Sequence, residues 1–190
     1  MSRLPLLDRA ALDEATAAVF DAIASGPRGR VSPPYQALLR SPALAGRIQS
    51  LGAFLRFESA FPDSLREFAI LITARAWNCA YEWHAHYPIA VAAGLPEAVV
   101  GAVAAGRRPD FAEADADAEL VYDFSTELQE TRRVSDAQYG RALARFGEQG
   151  VVELTTINGY YAMFAMILNT FEIAPPEGVA DPFGGRETAS

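Results

Sequence analysis

The chain of 190 residues has one cysteine, Cys79, and two histidines, His84 and His86. A single cysteine excludes a disulfide within the chain and any thiol cycle that needs two sulfurs of one chain. Cys79, Glu82, His84 and His86 are metal-ligand residue types, but His-x-His suits a strand better than a helix and there is no second histidine cluster, so no metal is expected. Basic charge is also short: Lys+Arg number 16 against 24 Asp+Glu, a formal net charge of -8. Phosphate backbones and anionic lipid surfaces attract basic proteins, so neither nucleic acid nor a membrane is an expected partner. No uninterrupted run of about 18 apolar residues is visible, which predicts no membrane span. Asp8, Asp13 and Glu14 break the N-terminus, so it does not read as a signal peptide. Neither a Gly-rich phosphate loop ending in Lys-Ser/Thr nor Gly-x-Ser-x-Gly occurs, and no cofactor is expected. A reducing, cytoplasmic home is the simplest expectation.

Hydrophobic residues make up 51% and charged residues 21%, ordinary values for a globular protein. Apolar residues recur at spacings of three and four, and strict alternation is scarce, which predicts an all-α fold. The pattern predicts helices over 8–24, 35–40, 42–57, 63–77, 81–93, 96–105, 115–131, 135–146 and 151–171. Ser41 and Pro42 are the expected N-cap and first residue of the third, and Gly94 ends the fifth. Residues 1–34 read as an N-terminal helix and a Gly/Pro-rich loop, 35–173 as the main helical domain, and 174–190 as a Pro/Gly-rich tail that includes Gly184 and Gly185. The final helix is apolar nearly all round, so it is expected at the centre of the fold or at a subunit contact. Asn158, Tyr160 and Tyr161 interrupt it. Core packing is the favoured account of these three, with pocket lining as the alternative.

Chemistry concentrates in Cys79-Ala80-Tyr81-Glu82-Trp83-His84-Ala85-His86. Glu82 and His86 are four residues apart, which on a helix places them on one face within hydrogen-bonding reach. A carboxylate beside an imidazole fixes its tautomer and raises its basicity, so the pair suits general acid-base work. By spacing alone a surface Glu-His pair is the plainer account. His84 points off that face. Pro88 disfavours helix at Tyr87 and is expected to kink the chain after His86. Glu67 lies in Ser64-Leu65-Arg66-Glu67, a capping-box pattern. It also borders the apolar face of Ile70, Leu71 and Ala74, where a carboxylate is a candidate proton carrier. Cys79 reads as a small buried residue near a helix end.

The stretch Leu65-Arg66-Glu67-Phe68-Ala69-Ile70-Leu71, then Tyr81-Glu82-Trp83-x-x-His86, then Ala90 and Ala92-Ala93-Gly94-Leu95, resembles the carboxymuconolactone decarboxylase / alkylhydroperoxidase D-like superfamily. The close likeness covers about thirty residues; a weaker one to the family's late helix lies at 151–171, giving partial cover of about 40–172. The resemblance implies an alkylhydroperoxidase D-like helical domain over 35–173 that oligomerises as a dimer, trimer or hexamer. In the hydroperoxidase branch it implies a Glu, a Cys-x-x-Cys pair and a His. Here Glu67, Cys79 and His86 take those places, but Glu82 stands where the second Cys belongs, and without a resolving thiol the disulfide cycle cannot run. In the lactone decarboxylase branch the place holds Glu-x-x-x-His, which Glu82 and His86 match.

The leading expectation is a lyase-type enzyme doing cofactor-independent acid-base chemistry, a decarboxylation or isomerisation, on a small lactone, carbonyl compound or aromatic-derived acid. His86 is the expected general acid-base, Glu82 its orienting group and Glu67 a second proton carrier, with Tyr81 and Trp83 shaping the pocket. Two alternatives remain: an antioxidant protein using Cys79 alone, and a non-catalytic helical oligomer that binds a small apolar ligand.

Overall fold

A computed structural model describes residues 2–184, so the part of the tail reading that rests on Gly185 lies outside the described residues. Among the described residues there is no strand, and the all-α expectation holds. The helices are α1 (Glu14–Ser25), α2 (Pro33–Leu38), α3 (Pro42–Ala53), α4 (Asp63–Ala76), α5 (Ala80–Ala92), α6 (Glu97–Ala104), α7 (Ala116–Thr131) and α8 (Asp136–Thr170). A π-helical segment, Phe54–Glu58, prolongs α3.

Two boundaries differ from the sequence expectation for local reasons. The first helix starts at Glu14, not near residue 8, because two aspartates each cap their own turn. Asp8 accepts from the Ala10 amide at 3.0 Å and closes a separate 3-10 turn, while Asp13 accepts from the Thr16 amide at 2.9 Å and opens α1. The two helices expected over 135–146 and 151–171 join as α8, bent where Gly147 takes φ 68° and ψ 177°. That positive φ is open to glycine at little cost, which is why the helix bends there. Ser41 and Pro42 begin α3 as expected, although the Ser41 hydroxyl makes no capping bond.

The chain divides into two compact units, and the division falls after Ser59. The first holds the residues up to Ser59 together with Ile167–Ala174. In it α1 and α2 pack on α3, burying Ile23, Tyr35, Leu39 and Ala45. Its N-terminal strand of chain is tied down by the Arg3 amide donating to the Phe171 carbonyl at 2.9 Å and by an Arg3–Glu172 ion pair at 2.7 Å.

The second unit runs from Ala60 to Met166 and resumes at Pro175. Its centre is α4, packed by α5, α6 and α7, with every residue from Leu65 to Ala74 buried. α4 is thus the more enclosed of the two, while α8, expected at the centre or at a subunit contact, keeps one exposed face. One face of α8 is buried through Leu154, Ile157, Tyr161 and Phe164, while Val152 stays 64% exposed and Met166 47%. By length and composition α8 is long and apolar enough to cross a membrane, although polar residues interrupt its apolar run as the sequence analysis found. Over half of its apolar window (56%) is nevertheless buried inside the protein, as in the core helix of a globular domain.

A network of buried polar side chains ties the helices of this unit together. Asn158 donates to the Ser125 hydroxyl at 3.1 Å and the Leu154 carbonyl at 2.9 Å. Its side-chain oxygen accepts from Thr73 at 3.1 Å and from Gln129 at 3.3 Å, and the Gln129 oxygen accepts from the Trp77 indole at 3.1 Å. Asn158 is therefore the core hydrogen-bonding residue that the sequence favoured, joining α4, α7 and α8. Asn158→Ala strands several buried partners at once. Its urea-unfolding free energy should fall by about 2–3 kcal/mol, the scale of unmade buried hydrogen bonds; a loss below roughly 0.5 kcal/mol contradicts this role for the network.

Candidate active site

The site is set by how α4 turns into α5. Trp77 caps α4, Asn78 follows at φ 46°, and the Cys79 amide bonds back to the Ala74 carbonyl at 2.8 Å while the Asn78 amide bonds to the Arg75 carbonyl at 3.0 Å. This is a Schellman closure with Asn in the left-handed position usually taken by Gly. The connection is short, so α5 folds straight back along α4 and their facing side chains meet.

Three predicted residues come together. His86 Nδ1 lies 2.6 Å from Glu67 Oε2, and His86 Nε2 lies 3.3 Å from Glu82 Oε2. All three are buried: Glu67 is 1% exposed, Glu82 4% and His86 5%. The surface-pair account of Glu82 and His86 is thus excluded. So is the capping box, because α4 starts at Asp63 with Pro62 before it and no side-chain cap, which puts Ser64 and Glu67 both inside the helix. The expected kink does not separate the pair either: α5 continues through Pro88 to Ala92.

The shorter bond is the one to Glu67, reached from the neighbouring helix, and not the one to Glu82 on the same helix. Burial by itself lowers the His86 pKa, since it penalises the charged ring. Hydrogen bonds and negative charge from Glu67 and Glu82 outweigh that penalty, and the pKa is raised to about 9. His86 is therefore an imidazolium at neutral pH, with a carboxylate on each nitrogen. Tyr161 of α8 stands edge-on to the ring, centroids 5.0 Å apart. The sequence favoured core packing for Tyr161, with pocket lining as the alternative; nothing local in its pattern pointed to His86.

The other predicted residues fall elsewhere. His84 is exposed, as its place two residues from His86 implies. Trp83 is buried, stacked on Tyr87 at 6.5 Å and edge-on to Phe183 at 5.3 Å. With His84, Tyr87, Pro88 and Val179 it lines an apolar cavity of about 330 Å³. A second cavity, of about 460 Å³, lies at the C-terminal ends of α4, α6 and α7, where Arg75, Arg107 and Arg132 offset the negative ends of three helices. Neither of these cavities includes Glu67, Glu82 or His86. Tyr81 is half-buried in the first turn of α5. Cys79 is buried, and burial, aided by the charge of Glu82, pushes its thiol up to about 12 against the partial help of backbone amides. A thiolate, the reactive form, is strongly disfavoured there. Among the described residues no group of three or more His, Cys, Asp or Glu side chains is placed to hold a metal ion.

Residues 42–120, which contain the Glu67–Glu82–His86 cluster, match the model of the Carboxymuconolactone decarboxylase family. No curated protein and no solved structure matches the chain.

The raised His86 pKa has a signed consequence for stability. Folding favours the protonated ring, so its contribution is complete below the unfolded value of 6.5 and is lost as pH rises through about 9. The unfolding free energy of the wild type, measured relative to His86→Gln, should be constant from about pH 6 to 6.5 and then decline up to about pH 9. A difference that stays flat across that window contradicts the assignment.

Proposed function

We propose, on the premise that residues 42–120 match the Carboxymuconolactone decarboxylase family model, that the protein is an enzyme of cofactor-independent acid-base chemistry on a small lactone, carbonyl compound or aromatic-derived acid. The observation that carries this reading is the buried imidazolium of His86 held between Glu67 and Glu82. A proton already on the ring at neutral pH makes His86 the donor. Glu67, with the shorter bond to Nδ1, orients the ring. Glu82, at the looser Nε2 contact, is the group whose bond to the ring yields most readily, so proton exchange with a substrate belongs at that end.

Removal of carbon dioxide from a β-keto acid or an acidic lactone leaves an enolate, which is quenched by one proton. The imidazolium supplies it at Nε2 and recovers it from solvent through Glu82. Isomerisation uses the same groups in turn, with Glu82 accepting a proton next to a carbonyl and His86 returning one. The antioxidant alternative needs an accessible thiolate, and the burial of Cys79 opposes it. A cytoplasmic, reducing home belongs to this reading.

Against a panel of lactones and β-keto acids, His86→Ala should lower turnover by roughly a hundredfold or more, the usual scale for a lost acid-base group. Glu67→Gln should cost tenfold or more at about the same folded fraction, because the amide cannot hold the imidazolium. His84→Ala and Cys79→Ala should stay within about twofold. A normal rate in His86→Ala sinks the mechanism, and abolished peroxide reduction in Cys79→Ala replaces it with thiol chemistry.

The reading also includes self-association through α8. Val152 and Met166 are exposed apolar residues two heptads apart, with exposed Gly159 between them, so they form one stripe along the helix. Light scattering should give a mass that is a multiple of the 20.5 kDa chain, and Val152→Glu should reduce it toward the single chain. A wild-type monomer at micromolar concentration overturns this.

A further inference from the structure

Buried polar atoms without a hydrogen-bond partner are rare in folded proteins, because each forfeits its hydration. Three side-chain atoms are in that state among the described residues: Arg28 Nε, Arg66 Nε and Glu67 Oε1. The last two face each other at 3.8 Å. That is too long for a direct hydrogen bond. It is also not slack in the arginine. Arg66 is 5% exposed, its Nη2 pairs with Asp63 at 2.9 Å and its Nη1 reaches the Phe61 carbonyl at 3.5 Å. Two of its nitrogens are thus held near the start of α4, and the third lies 3.8 Å from the carboxylate. On the other side, Glu67 spends Oε2 on His86 and leaves Oε1 toward Arg66.

We propose that Arg66 Nε and Glu67 Oε1 form a receptor for one hydroxylic oxygen, a single O–H group that accepts from the guanidinium and donates to the carboxylate. An oxygen about 2.9 Å from each atom spans the 3.8 Å separation. The chemistry is selective. A ketone or ether oxygen accepts from Arg66 but offers Glu67 nothing. A carboxylate oxygen repels Glu67, and an ammonium has no lone pair for Arg66. Among oxygen groups, water, an alcohol, a phenol or an enol meets both demands. The inference rests on the acid-base reading of the site and narrows its substrate class to compounds that carry, or form as an enol, such a group. It also gives Arg66, so far unassigned, a binding role one bond removed from His86.

The test does not depend on turnover, so it fails separately from that reading. Crystals of the wild-type protein at about 1.5 Å or better, with and without phenol, are compared with Arg66→Met crystals, and the affinities of phenol and anisole are measured by calorimetry. A density peak within hydrogen-bonding distance of both atoms in phenol-free crystals, lost in Arg66→Met, supports the receptor with water as its source. Phenol bound at least tenfold more tightly than anisole, with its oxygen on the two atoms and the preference lost in Arg66→Met, supports it with an organic hydroxyl as its source. If Arg66→Met does not fold, Arg66→Lys serves instead, since it keeps the charge but not the Nε position. No peak in the wild type together with equal binding of phenol and anisole overturns the proposal, as does a peak or preference that survives loss of Nε.

Discussion

The bond between His86 Nδ1 and Glu67 Oε2 is the interaction on which the site depends. It crosses from α5 to α4, and it is buried on both sides. Taking an imidazolium and a carboxylate out of water costs several kcal/mol per ion unless each finds compensation. Compensation here is collective: Arg66 and His86 bring positive charge, Glu67 and Glu82 negative charge, and all four are buried in one place. Removing one member leaves another uncompensated, so the cluster stands or falls together. The same balance keeps a proton on His86 at neutral pH, which links the packing of the two helices to the chemistry they carry.

Much of this was legible in the residues. The spacing of Glu82 and His86 placed them on one helical face, and the stop at Gly94 bounded the end of α5 closely. The position of Glu67 near His86 was legible only through the family resemblance, since a separation of nineteen residues carries no pairing signal of its own. Local chemistry misled at two points. Ser64-x-x-Glu67 has the form of a capping box, but the helix begins at Asp63, and tertiary packing takes the glutamate instead. Apolarity pointed to the last helix as central, whereas α4 is the more enclosed despite holding Arg66 and Glu67. Composition cannot reveal that buried charges are admitted where they pair. Tyr161 was invisible for the same reason: its contact with His86 comes from another helix.

The replacement of a second sulfur by Glu82 gives the site its direction. In the hydroperoxidase pattern that the chain resembles, this place holds a thiol next to a histidine. A carboxylate there cannot trade electrons with a neighbouring sulfur, but it can trade protons with an imidazole. Cys79, left without a partner and withdrawn from water at the start of α5, becomes a packing residue with a thiol pushed up to about 12. The proposed proton-transfer reading rests on this one position, where a carboxylate stands in place of a sulfur.

The central claim is that His86 carries its proton at neutral pH because two buried carboxylates hold it. Nitrogen-15 NMR of the histidine side chains tests this most directly, since both ring nitrogens report their own protonation. The account predicts that His86 shows two protonated nitrogens at pH 7.5 and titrates with a midpoint near 9. A neutral ring at pH 7.5, with one nitrogen bare, contradicts it.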